Sequence, residues 1–134
     1  MTDEIHLPVG TDADIVTARQ KGRALAAELG FSIIDLAMVA TSISELARNI
    51  VLYAGQGEIV LSVATNDGGK RGIVVVARDD GPGIHDVQKA MISGYSTSGS
   101  LGLGLPGVRR LMDEFQIVSE VGKGTVVTAK KWKV

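Results

Sequence analysis

Cysteine is absent from this chain of 134 residues, and aromatic residues make up only 4% of it. The absence of cysteine excludes disulfides and thiolate metal sites, and so few aromatic side chains argue against a stacking surface for single-stranded nucleic acid. A formal net charge of −1 gives no basic surface for nucleic acid, and no apolar run is long enough to cross a membrane. We therefore expect a cytoplasmic protein that binds neither nucleic acid nor membrane, with one domain over residues 1–134.

The chain contains clear signals for helix starts and strand turns. Thr11 with Asp14, and Ser32 with Asp35, have the spacing of capping-box pairs at the starts of two long helices. Residues 66–69 (NDGG) are typical of a hairpin turn. The element order β-α-α-β-β-α-α-β-β predicts an α/β (α+β) two-layer sandwich, with a mostly antiparallel, mixed sheet and the helices on one face. Strands are predicted at 5–9, 57–65, 72–78, 116–120 and 125–132, and helices at 11–30, 32–54, 85–92 and 108–115.

Two glycine-rich turns are separated by a helix-sized segment. The first, residues 79–83 (DDGPG), follows an apolar strand-like run, and the second, residues 102–107 (GLGLPG), precedes a helix-like run. Glycine lets the backbone approach a ligand closely, and a helix N-terminus presents free N–H groups and the positive end of the helix dipole. The second turn therefore predicts a phosphate site. With an acid at the first turn, the pair predicts one nucleotide held at its base and its phosphates.

Three polar side chains are candidates for chemistry at such a site. Glu45 and Asn49 lie four residues apart on the second predicted helix and so share a face. An amide oxygen there suits Mg²⁺, and a carboxylate can activate a nucleophile; the alternative is a solvent-exposed face with a weak pair between Glu45 and Arg48. Asp79 can accept a hydrogen bond from the adenine amine, or can simply form the turn, as aspartate often does before glycine.

Two other patterns have simpler explanations. Residues 102–107 match G-x-G-x-x-G, but the dinucleotide fingerprint must directly follow a strand. Here it follows a Ser/Gly-rich stretch, residues 93–100, and the chain is too short after it for a second βαβ half. That stretch is typical of a mobile lid. The lysines near the C-terminus, Lys130, Lys131 and Lys133, are expected on a solvent-exposed strand face.

Four motifs occur in the order and spacing of the GHKL ATPase and kinase superfamily, whose members have the Bergerat fold: Glu45-x-x-x-Asn49, Asp79-x-Gly81-x-Gly83, Gly102-x-Gly104 and Gly124-Thr125. The chain resembles this superfamily over essentially its whole length. Longer stretches, SELARNIVLYAGQGEI and GYSTSGSLGLGLPGVRRLMDEF, resemble the small serine/threonine kinases that switch the bacterial stressosome. The anti-sigma kinases share the same motifs.

The resemblance implies ATP/ADP and Mg²⁺ as cofactors and gives a role to each matching residue. Glu45 would be the general base or would orient the substrate hydroxyl, and Asn49 would bind Mg²⁺. Asp79 would bind the adenine amine, with Thr125 supporting the adenine. The remaining residues would shape the pocket or hold the phosphates beneath a lid at 93–101: Gly81, Gly83, Ser98, Gly99, Gly102, Leu103, Gly104 and Leu105.

The resemblance also implies a function. The chain would be a serine/threonine-protein kinase that phosphorylates STAS-domain stressosome proteins of the RsbS and RsbR type. It would then bind and activate a PP2C-type phosphatase or its regulator. The alternative is an anti-sigma factor kinase that sequesters a sigma factor. A nucleotide-binding scaffold without turnover is disfavoured, because Glu45 and Asn49 are both present.

Overall fold

The computed structural model describes residues 4–84, 91 and 104–134 of the chain. In this part of the chain a five-stranded sheet carries three α-helices, and a π-helical turn continues the second of them. Among the same residues no helix is both long and apolar enough to cross a membrane. The elements in chain order are β1 (Ile5–Val9), α1 (Asp12–Glu28), α2 (Ile33–Asn49), the π-helical turn (Ile50–Ala54), β2 (Gly57–Thr65), β3 (Arg71–Asp79), α3 (Gly104–Leu111), β4 (Glu114–Glu120) and β5 (Gly124–Trp132).

Both long helices begin at the capping residues that the sequence predicts. The Thr11 hydroxyl accepts a hydrogen bond from the Asp14 N–H at 3.2 Å, and Asp14 Oδ2 accepts from the Thr11 N–H at 3.1 Å. Asp14 Oδ2 also accepts from the Gly10 N–H at 2.9 Å. This bond from Gly10 is the main cause that lowers the pKa of the Asp14 carboxyl. At the start of α2, the Ser32 hydroxyl accepts from the Asp35 N–H at 3.1 Å, which fixes where α2 begins.

The sheet has the strand order β1-β2-β3-β5-β4, and all of the pairings between these described strands are antiparallel. β3 is the central strand, in agreement with its almost wholly apolar sequence. Every second residue of the strands points towards the helices, so one face of the sheet is covered and the two-layer α+β prediction is confirmed. The fully or nearly fully buried residues on that face are Ile59, Leu61, Ile73, Val75, Ala77, Val127 and Ala129.

α2 is the middle helix of the helical layer and packs against both α1 and α3. A Cβ added at Gly22 of α1 would lie 2.0 Å from Ile43 Cδ1 of α2, so the two helices approach closely at that point. The buried residues of α2 and of the turn after it are Val39, Ala40, Ser42, Ile43, Glu45, Leu46, Ala47 and Ile50. This packing fixes α2, the helix that carries Glu45 and Asn49.

Three sequence-based boundaries need correction. The helix predicted at 108–115 is Gly104–Leu111, because Pro106 is tolerated in a first helical turn and the helix therefore begins inside the glycine turn. Phe115 instead lies in β4. The second long helix stops being α-helical at Asn49, and the π-helical turn beyond it is closed by the Gly55 N–H, which donates to the Ile50 carbonyl at 2.9 Å.

One side-chain prediction is wrong. Lys131 does not lie on a solvent-exposed strand face: it is only 7% exposed. The reason is the alternation of β5, in which residue 131 shares the helix-covered side with Val127 and Ala129. The helix predicted at 85–92 and the lid predicted at 93–101 lie outside the described residues, apart from Met91, which packs partly buried against the core.

Candidate nucleotide site

Asp79 is the last residue of β3, and its side chain is half-buried on the helix side of the sheet. In the strand ladder it stands directly opposite Thr125 of β5 on one side and Gly57 of β2 on the other. Asp79 and Thr125, which the sequence places far apart, are therefore cross-strand neighbours. Both lie at the strand ends where the first glycine turn begins, and this end of the sheet is the candidate site for the base.

The first glycine turn uses one oxygen of the Asp79 carboxylate. Asp79 Oδ1 accepts a hydrogen bond from the Gly81 N–H at 2.9 Å, so Asp79 does form the turn. Its Oδ2 accepts no hydrogen bond from another described residue. The two alternatives for Asp79 are therefore compatible, because one oxygen holds the turn and the other remains available to a ligand.

The turn is closed at Gly83, which has a φ of +79°. A Cβ at this position would lie 2.3 Å from the Glu120 carbonyl oxygen. The Gly122 N–H donates to the Pro82 carbonyl at 2.8 Å and holds the same turn against the β4–β5 hairpin. Position 83 therefore requires glycine for two reasons: its φ is positive, and there is no space for a Cβ.

Ser119 is a site residue that the sequence motifs do not reveal. Its hydroxyl accepts from the Ile84 N–H at 2.7 Å, donates to the Gly124 carbonyl at 3.2 Å, and lies 2.8 Å from Thr125 Oγ1. If the single Ser119 proton goes to Gly124, Thr125 is the donor in the last bond and its oxygen can still accept a hydrogen bond. The signal in the sequence is the hairpin register, which places Ser119 opposite Thr125.

Glu45 is buried, with 5% of its surface exposed, and its Oε2 accepts a hydrogen bond from the Gly104 N–H at 3.2 Å. The exposed Glu45–Arg48 pair, the alternative reading of this helix face, is not present. Gly104 is the first residue of α3, so a carboxylate of α2 meets a backbone N–H of the second glycine turn. Asn49, one helical turn further along α2, is half-buried.

The other predicted phosphate-binding residues are placed differently. The side chain of Leu105 is buried in the hydrophobic core, so the predicted contact of this residue with a phosphate falls to its backbone N–H in the first turn of α3. Ser98, Gly99, Gly102 and Leu103 lie outside the described residues. At the end predicted to bind phosphate, the structure therefore brings together Glu45, Gly104 and the first turn of α3.

The residues present fit a magnesium ion held mainly by a nucleotide. No cluster of three or more His, Asp or Glu side chains in the described part of the chain could hold a metal by itself. Mg²⁺ commonly takes one or two protein ligands and completes its shell with phosphates and waters. A single amide oxygen, from Asn49, is compatible with that kind of site.

A groove with a volume of about 720 Å³ runs between α1 and α2 and has Glu45 in its wall. It also contains three arginines, Arg19, Arg23 and Arg48, none of which forms an ion pair with another described residue. Arg48 Nε is buried and has no hydrogen-bond partner there. We call this feature the arginine groove. Its remaining lining residues are Asp12, Ile15, Val16, Gln20, Ala37, Ala40, Thr41 and Ser44.

Comparison with known proteins agrees with this fold and site. Residues 34–133 match the family described as histidine kinase-, DNA gyrase B- and HSP90-like ATPases. The chain therefore belongs to this ATPase family, and the resemblance to the GHKL superfamily is confirmed. Within the family, it is 54% identical over 132 residues to serine/threonine-protein kinase RsbT of Bacillus subtilis (strain 168), covering 98% of each chain.

More distant relatives carry a different name. The chain is 30% identical over 119 residues to the anti-sigma F factor of Thermoanaerobacter sp. (strain X514), covering 86% of this chain and 82% of that protein. Among solved structures, it matches the RsbU and RsbW domains of a Mycobacterium tuberculosis protein with a TM-score of 0.64 and 23% identity. That match covers 98% of this chain and 33% of the other, and it supports the fold alone.

Proposed function

We propose that this chain is a serine/threonine-protein kinase that transfers the γ-phosphate of ATP to STAS-domain stressosome proteins of the RsbS and RsbR type in the cytoplasm. The likeness to RsbT over nearly the whole of both chains supports the activity. The structural observation that carries the proposal is the contact between the Glu45 carboxylate and the Gly104 N–H. A buried acid and a phosphate-binding helix start meet at that point, as phosphoryl transfer requires.

Each predicted site residue has a distinct part in this mechanism. Asp79 Oδ2 accepts from the adenine amine, while Oδ1 stays on Gly81 and keeps the carboxylate in position. The phosphates lie at the N-terminus of α3, where backbone N–H groups and the helix dipole favour negative charge. Asn49 holds Mg²⁺, which neutralises charge on the phosphates when it is bound.

Glu45 is proposed to take the proton from the substrate hydroxyl. Its Oε2 is oriented by Gly104, and its Oε1 accepts no hydrogen bond from another described residue. One oxygen is thus fixed and the other can face the incoming serine or threonine. Transfer then depends on positioning and charge stabilisation more than on covalent chemistry.

The arginine groove is proposed to receive the protein substrate. It leads along α1 and α2 to Glu45, so a segment lying in it brings its hydroxyl to the reacting carboxylate. Unpaired arginines favour acidic side chains, and an acidic segment beside the acceptor hydroxyl is the expected complement. After transfer, the new phosphate lies directly beside the Glu45 carboxylate, and the repulsion between these two negative charges weakens the complex at that point. The chain then binds and activates a PP2C-type phosphatase or its regulator.

A second candidate is an anti-sigma factor kinase. It is favoured by the relatives at about 30% identity that bear the name anti-sigma F factor. The two candidates differ in the stable partner, because an anti-sigma factor holds a sigma factor while the proposed kinase holds a phosphatase or its regulator. A pull-down with each partner in the presence of ATP separates them.

The test of the proposed function is incubation of the purified chain with Mg²⁺, labelled ATP and a STAS-domain protein from the same organism. Label is expected on the STAS-domain protein. Glu45→Gln is the informative variant, because its amide oxygen still accepts from Gly104 but cannot act as a base at neutral pH. General-base catalysis contributes about 10²–10⁴-fold, so transfer should fall by that factor while ATP binding, measured by calorimetry, stays close to wild type. Full transfer by the variant would remove Glu45 from the role.

A further inference from the structure

Lys131 is buried at the end of β5 and contacts the C-terminal end of α3. Its Nζ donates a hydrogen bond to the Leu111 carbonyl at 2.9 Å, and Leu111 is the last residue of α3. Two carboxylates lie near the same ammonium, Asp113 Oδ1 at 3.7 Å and Asp35 Oδ1 at 3.9 Å. Lysine is almost never this buried unless it is paired, so the side chain is held in a defined place.

α3 is therefore anchored at both ends by charged side chains from other elements. At its N-terminus, the Gly104 N–H donates to Glu45 of α2, and at its C-terminus the Leu111 carbonyl accepts from Lys131 of β5. The signs match the helix dipole, which favours an anion at the N-terminus and a cation at the C-terminus. Core packing of Leu105, Val108 and Met112 holds α3 against the rest of the molecule, and these two contacts hold its two ends.

Lys131 also joins α3 to the start of α2. Asp35 is in the first turn of α2, and Glu45 and Asn49 lie further along the same helix. An α-helix rises by about 1.5 Å per residue and is stiff over this length, so Asp35 and Glu45 keep a fixed separation. Lys131 and Glu45 therefore connect the same two helices at opposite ends. The frame formed by α2, α3 and Lys131 holds the Gly104 N–H against Glu45.

We propose that Lys131 is a positioning residue for phosphate binding. It acts through α3, since its contact at Leu111 sets where the N–H groups at the start of the helix meet the nucleotide phosphates. This inference rests on the proposed function, because it assumes that ATP phosphates bind at the start of α3. It adds a residue far from the glycine turns to the determinants of nucleotide affinity.

The test compares two ligands on the same variants. Adenosine lacks phosphates and reports the base site alone, whereas ATP reports both ends of the site. In Lys131→Met the side chain keeps its length but loses its charge and its bond to Leu111. The Lys131–Leu111 bond is present with and without ligand, so its loss affects ATP only by displacing the N–H groups at the start of α3. Loss of one charge-assisted hydrogen bond from these N–H groups to phosphate corresponds to about a tenfold change in affinity. ATP affinity by calorimetry should therefore fall about tenfold while adenosine affinity stays unchanged.

Lys130→Met is the matched control, because the neighbouring side chain points to the opposite face of the sheet; it should change neither affinity. Lys131→Arg keeps a cation and should restore most of the ATP affinity. A general loss of stability would reduce both affinities by the same factor, so an unchanged ratio of ATP to adenosine affinity in Lys131→Met overturns the proposal. If Lys131→Met does not fold, Lys131→Gln replaces it, because its shorter, uncharged side chain loses both the cation and the reach to the Leu111 carbonyl; it should lower the same ratio, and an unchanged ratio in that variant also overturns the proposal. Failure of the wild-type chain to bind ATP would instead refute the proposed function.

Discussion

At the scale of single residues, the two acidic side chains of the site are used in the same way. Asp79 and Glu45 each accept one hydrogen bond from a glycine N–H, from Gly81 and Gly104 respectively. The glycine fixes the carboxylate, and the second oxygen accepts no hydrogen bond from another described residue. A replacement for either acid must therefore accept the hydrogen bond from the same glycine N–H as well as interact with a nucleotide.

Asp79→Asn tests the base end of the site. An asparagine can keep the bond to Gly81 through its oxygen, but it then presents an amide donor to the donating adenine amine. Losing the charge-assisted bond should cost about 1.5–3 kcal/mol, which is roughly a tenfold or greater loss of ATP affinity by calorimetry. Asp80→Asn, at an exposed position, is the control and should bind as wild type. Equal affinities in all three proteins would remove Asp79 from adenine recognition.

At the scale of elements, helix starts and hairpin pairing can be predicted from the sequence more reliably than contacts between distant elements can. Thr11 with Asp14, and Ser32 before α2, mark helix starts because capping is a local interaction within one turn. The turn signal at residues 66–69 likewise predicts the pairing of β2 with β3. Capping, turns and periodicity all act over short range, and that is why these features are readable from the sequence.

The remaining features depend on contacts between elements. The Glu45–Gly104 bond joins α2 to α3, and no local pattern marks it. The burial of Lys131 follows from the register of β5, whereas the lysine-rich sequence of residues 130–133 is typical of a solvent-exposed strand end. Ser119 is recognised only when the hairpin register is known. These are the parts of the site that required the structure.

Gly83→Ala tests the closure of the first glycine turn as an element. A non-glycine residue at positive φ costs about 1–2 kcal/mol, and here a Cβ would also meet the Glu120 carbonyl at 2.3 Å. Gly69 has a similar φ of +82° with no atom within 4 Å of its Cβ position, so Gly69→Ala isolates the backbone cost. In urea unfolding, Gly83→Ala should lose more stability than Gly69→Ala. Equal losses of stability would show that the backbone of the turn moves enough to accommodate the added Cβ at little cost.

At the scale of the whole molecule, the arginine groove suggests how two protein partners compete. The chain exposes 7429 Å², and two interfaces of about 800 Å² on this side would cover only about a fifth of that surface. Area alone therefore does not force the partners to overlap. Overlap requires that both use the same feature, and the groove beside Glu45 is the feature that a substrate must reach.

The corresponding prediction is competition for the arginine groove. Unphosphorylated STAS-domain protein should displace the phosphatase regulator from the chain in a pull-down, and the phosphorylated form should not. Arg23→Glu should weaken both complexes, because it reverses a charge in the groove. Lys21→Glu, on α1 but outside the groove lining, should weaken neither. A stable ternary complex with both partners on one copy of the chain would contradict exclusive binding while leaving the kinase activity untouched.

Stability should also depend on pH through His6 at the edge of the sheet. Its pKa is raised from the ordinary value of 6.5, first by a hydrogen bond with Glu58 and then by one with Glu4. The protonated form is therefore favoured by folding, and its contribution is fully present below pH 6.5 and is lost as pH rises through the raised value. As the pH rises from 6.5 through the raised pKa, the thermal midpoint of the wild type should fall relative to that of His6→Gln. Parallel curves for the two proteins would show that the histidine is not coupled to folding.

The ladder between β3 and β5 has a consequence for how this chain can change in length. Asp79 and Thr125 face each other because of strand register, and a slip of one residue would turn Thr125 to the opposite face of the sheet. Residues can therefore be inserted between the two strands without separating the pair, whereas a single deletion within either strand separates it. The base selectivity proposed for Asp79 and Thr125 would therefore depend on strand register and would not change when the connecting chain lengthens or shortens.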